Sequence, residues 1–75
     1  MARLTSREKE VLNVLFQGFT YAQACRCLKI SRGTINSHIR SIYIKLEAHT
    51  LAGAIYEALL IGELQLPRNN KGGMT

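Results

Sequence analysis

Ser31-Arg32-Gly33-Thr34-Ile35-Asn36-Ser37-His38-Ile39-Arg40-Ser41-Ile42-Tyr43-Ile44-Lys45-Leu46 sets its apolar side chains at Ile35, Ile39, Ile42 and Leu46, with His38 and Tyr43 on the flanks. That is the spacing of one helical stripe, and it predicts a helix docked on a core. The opposite face carries Arg32, Gly33, Asn36, Ser37, Arg40 and Ser41 and no acid. Short polar side chains let such a face lie close to a phosphate backbone, while the arginines and Asn36 offer donors and acceptors to base edges. The stretch therefore reads as a recognition helix over about 32–46, shaped for the major groove of double-stranded DNA.

Upstream, Lys29-Ile30-Ser31 leaves room only for a tight turn, with Ile30 plugging the core and Ser31 capping the helix that follows. Thr20 and Gln23 have capping-box spacing and predict a short helix from Tyr21 to Leu28 that buries Ala24, Cys25 and Leu28. The small side chains of Ala22, Ala24 and Cys25 permit a close helix crossing. Helix, short turn and helix in this order have helix-turn-helix spacing. Thr5 and Glu8 form an earlier capping box, opening a first helix over about 6–17 whose stripe is Val11, Leu12, Leu15 and Phe16, with Gly18 at the left-handed C-terminal position.

Downstream, Glu47-Ala48-His49 breaks the pattern and Thr50 caps a fourth helix running to about Ile61 or Leu64. This helix has two apolar stripes. Leu51, Ala54, Ile55, Ala58, Leu59 and Ile61 form a broad one, and Ala52, Tyr56 and Leu60 form a second on the far side. A chain this small buries one core, so the second stripe predicts a homodimer contact through the fourth helix. The fold class is all-α, with one domain over 1–66. Residues 67–75 lack apolar periodicity and predict a disordered tail.

The formal charge of +5 is concentrated in one place. Arg26, Lys29, Arg32, Arg40 and Lys45 face no acid anywhere between residues 11 and 46, while both ends of the chain are nearly neutral. Such a field suits a polyanion, with Arg26, Arg32 and Lys45 as the phosphate contacts. Cys25 and Cys27 are two residues apart on a helix and point about 200° apart, so they neither bridge each other nor clasp one metal. His38 and His49 lack ligand partners at useful spacing, so neither a metal nor a cofactor is expected. No nucleophile–base pair or paired carboxylates suggest an enzyme, because Cys25 and His38 fall on inward faces. No apolar run reaches the roughly 20 residues of a membrane span, and the N-terminus lacks a secretion signal. The expected location is the cytoplasm.

Leu4-Thr5-x-Arg7-Glu8-x-Glu10-Val11-Leu12, Gln17-Gly18-Phe19-Thr20, Leu28-x-Ile30-Ser31, Thr34-Ile35-x-x-His38-Ile39 and Ile42-Tyr43-x-Lys45-Leu46 together resemble the LuxR-type helix-turn-helix domain, over about residues 4 to 64. With no receiver or ligand-sensing region in the sequence, the chain looks most like the stand-alone, GerE-like members of that family, which are bacterial transcription regulators. The resemblance implies four helices, the second and third reading DNA and the fourth supporting dimerisation. By position it implies that Thr34, Asn36, Ser37, Arg40 and Ser41 touch DNA and that Lys45 approaches a phosphate. The chain departs from the family pattern at Asn36, where lysine is usual, at Gln23 (glutamate), Glu47 (glycine) and Leu51 (arginine). An alternative of another class is an interaction protein that sequesters a larger LuxR-type regulator, or contacts RNA polymerase, through the same fold.

Overall fold

The computed structural model describes residues 3–65; the expected tail lies outside the described residues. Four helices follow one another: α1 (Ser6–Phe16), α2 (Tyr21–Leu28), α3 (Arg32–Leu46) and α4 (Leu51–Leu60). Each begins where a hydroxyl can satisfy an orphaned amide. Thr5 and Glu8 close a reciprocal box, with Glu8 N–H donating to Thr5 Oγ1 at 3.1 Å and Thr5 N–H to Glu8 Oε1 at 2.9 Å. Thr20 and Gln23 repeat it with the same two distances. Ser31 and Thr50 cap α3 and α4 by accepting from the amides of Thr34 and Gly53.

The ends are set by backbone conformation. Gly18 follows α1 at φ +102° and Gly62 follows α4 at φ +81°, angles that a side chain disfavours. Gly62 stops α4 at Leu60, short of the expected Ile61 or Leu64. Leu64 nevertheless reaches the core from the turn beyond, whereas Ile61, expected on the core face, is exposed. Lys29 and Glu47 close α2 and α3 in the left-handed region at φ 58° and 53° without being glycine.

The core is one cluster. Leu4, Val11, Leu12, Leu15, Ala24, Ile35, Ile39, Ile42, Leu46, Ala54, Ala58 and Leu64 are buried, and the whole α3 stripe is among them. In α2 only Ala24 is fully buried; Cys25 and Leu28, expected inside, are half-buried, as is Ile30 in the turn. Helix α3 packs against all three other helices, so its rotation about its own axis is over-determined. Two polar ties reinforce the α1 contacts. Arg7 pairs with Glu10 at 2.7 Å and donates to the Leu28 carbonyl at the end of α2 at 3.0 Å, and Lys9 pairs with Glu63 at 3.2 Å.

Candidate nucleic-acid interface

With the apolar stripe of α3 locked inward, the face that remains carries Arg32, Gly33, Thr34, Asn36, Ser37 and Arg40, all exposed, and Ser41, half-buried at the margin. Arg32, Asn36 and Arg40 recur every fourth residue and so form one row up the helix. Ser31 Oγ also donates to Thr34 Oγ1 at 3.0 Å, which orders the first turn of this face. No acid stands on α3. Arg26 is exposed near the end of α2, the helix that precedes α3 and packs against it.

Asn36, Ser37, Ile39, Arg40, Tyr43 and Ile44 line a shallow, open groove beside α3. Ile44 is 70% exposed at the far end of this face, an apolar residue that the helical stripe alone did not single out. Its position one turn beyond Arg40 extends the polar row with a methyl-bearing surface.

Lys45 behaves differently from the expectation that it is free to meet a phosphate. Its ammonium lies 2.8 Å from Glu8 Oε1, the same oxygen that closes the α1 capping box. Glu8 is only 5% exposed. Burial pushes its carboxyl up, but the Lys45 hydrogen bond and charge and the Thr5 backbone amide and hydroxyl outweigh it, holding Glu8 below the ordinary carboxylate value. Lys45 is therefore a link between α3 and α1. Residues 8 and 45 stand 37 apart, so periodicity along either helix carried no sign of the pair.

On α4, Ala52, Tyr56 and Leu60 all point away from the core. Tyr56 is 61% and Leu60 62% exposed. The two cysteines are unpaired, and among the described residues no group of three or more acidic, histidine or cysteine side chains is placed to hold a metal ion. No helix among them is long and apolar enough to cross a membrane.

Comparison with known proteins agrees with this geometry. The family model described as "Bacterial regulatory proteins, luxR family" matches residues 2–58. The spore germination protein GerE of Bacillus subtilis is 38% identical over 63 residues, which is 84% of this chain and 85% of GerE. The transcriptional activator SolR of Ralstonia nicotianae is 38% identical over 61 residues, 81% of this chain but only 26% of SolR, so the chain corresponds to about a quarter of that protein. In three dimensions the solved structure of the transcription factor GerE superposes with a TM-score of 0.78 at 35% identity, covering 83% of this chain and 92% of that one. The chain belongs to the LuxR family of bacterial regulatory proteins and has the GerE-type helix-turn-helix fold that forms the DNA-binding domain of such transcription regulators.

Proposed function

We propose that the chain binds double-stranded DNA sequence-specifically as a homodimer and so regulates transcription in the bacterial cytoplasm, with α3 in the major groove and α2 across the backbone. The observation that carries this reading is the acid-free polar face of α3, exposed except at its margin, while its apolar stripe is fixed by three other helices. Thr34, Asn36, Ser37, Arg40 and Ser41 meet base edges and the sugar–phosphate margin, Asn36 having the donor and acceptor that adenine matches. Arg26 and Arg32 contact phosphates. Lys45, neutralised by Glu8, ties α3 to α1 instead of meeting a phosphate. Ala52, Tyr56 and Leu60 pair with their symmetry copies.

Titration of labelled duplex with wild type and Arg40→Ala tests the assignment of the face. The variant is expected to bind about 1–3 kcal/mol more weakly while melting at the wild-type temperature, because Arg40 is exposed on α3. An unchanged affinity, or a loss that merely follows unfolding, overturns it. A second reading has its own support: Lys45 is neutralised, Asn36 and Leu51 carry no charge, and an apolar patch lies open on α4. In that reading the chain pairs with a larger LuxR-type regulator or with RNA polymerase and acts without touching DNA. It predicts only weak attraction to duplex, salt-sensitive and independent of sequence.

A further inference from the structure

Where α2 meets α3, Arg32, the first member of the row that faces the groove, turns back onto an aromatic ring. The guanidinium carbon of Arg32 stands 5.9 Å from the centroid of the Tyr21 ring, within the range of about 6 Å at which a cation is held by an aromatic face. Tyr21 opens α2 and Arg32 opens α3, so one contact joins the N-termini of both helices of the DNA-reading unit. Tyr21 and Tyr43 are half-buried against the core, which makes the Tyr21 ring a fixed platform beneath an exposed arginine.

The surroundings favour an anion. Burial first, and then the neighbouring Tyr21 phenol, push the ionisation of Tyr43 above the ordinary tyrosine value, so Tyr43 remains a neutral hydroxyl. Gln23 closes the α2 capping box with an amide where Glu8 closes that of α1 with a carboxylate, and no acid stands in the first turn of α2 or α3. Tyr43 also lines the groove beside α3 together with Asn36, Ser37 and Arg40, so the cluster runs directly into the face assigned to the bases. A binding arginine gives up rotamer freedom, and one already laid on a ring has given up part of it before DNA arrives.

We propose that Tyr21, Arg32 and Tyr43 form a preorganised seat for one DNA backbone phosphate beside the major groove, a deepening of the DNA-binding reading on which it rests. Arg32 supplies the charge and the contact. Tyr21 is a positioning residue that holds the guanidinium through its ring, and Tyr43, on the same face of α3, is its neutral neighbour.

The test is the salt dependence of binding to a random-sequence duplex, measured for wild type, Arg32→Ala, Tyr21→Leu, Tyr21→Phe and the double variant, all below their melting temperatures. Arg32→Ala should lower the slope of log K against log salt by about 1, the loss of one phosphate. Tyr21→Leu should weaken binding by about two- to fivefold and Tyr21→Phe, which keeps the ring, by little. In the Arg32→Ala background, Tyr21→Leu should add nothing. A slope that Arg32→Ala leaves unchanged, or a Tyr21→Leu effect that persists without Arg32, overturns the seat while leaving the DNA-binding reading intact. A wild type with no affinity for duplex overturns both.

Discussion

At the residue scale the fold rests on a few side chains with separable contributions. Ile39 lies at the centre of the α3 stripe and is buried. Ile39→Ala is therefore expected to remove about 2–5 kcal/mol, a large part of the stability of so small a domain, as read from denaturant unfolding. Glu8 and Lys45 give a prediction with a sign in pH. Because Glu8 is held below its unfolded value, its stabilisation is present above the ordinary carboxylate pKa and is lost as pH falls through the lower folded one. Thermal melts should accordingly show wild type losing stability below about pH 4.5, and Glu8→Gln, which keeps the cap geometry seen at Gln23, losing less over the same range. Lys45→Met should be costlier at neutral pH than Glu8→Gln, by about 1–2 kcal/mol, because it strands a buried carboxylate whereas a partly exposed ammonium can still reach water. Equal costs would mean that the pair is only a surface contact.

At the element scale, the helices were legible in the sequence wherever a cap marked them. Thr5, Thr20, Ser31 and Thr50 each open a helix at the expected residue, and the helix-turn-helix spacing from Tyr21 to Leu46 is as read. The far end of α4 was less legible, since Ile61 and Leu64 continue the apolar pattern while Gly62 turns the backbone away. The partners of Lys45 and Arg32 were not legible at all, because they depend on how helices cross. One closing residue offers a direct check. Glu47 occupies the left-handed region that its side chain disfavours, so Glu47→Gly should raise stability by about 0.5–1 kcal/mol, the relieved strain exceeding the added freedom of the unfolded chain. Helix α4 carries the assembly prediction. Leu60→Glu places a charge on the exposed stripe, harmless to a monomer but buried in a pair. It should dissociate the dimer in sedimentation and sharply reduce operator affinity with helical circular dichroism unchanged; a variant that still sediments as a dimer would refute this interface.

At the scale of the whole molecule, charge and symmetry have to act together. Of the five cations between residues 11 and 46, Lys45 is paired with Glu8, and the other four supply a charge that would attract any polyanion without choosing a sequence. On the proposed reading choice would fall to the α3 face, and one such face would read only a few base pairs. Pairing through α4 would present two copies of α3 to one side of the duplex, where successive major grooves recur about every 34 Å, so the preferred site should be an imperfect palindrome with half-sites about one turn apart. Selection of bound duplexes from a random pool measures this directly. Enrichment of a palindrome with that spacing, lost in Arg40→Ala, is expected; a pool that stays random, while wild type binds every duplex alike, would contradict a homodimer reading DNA through α3.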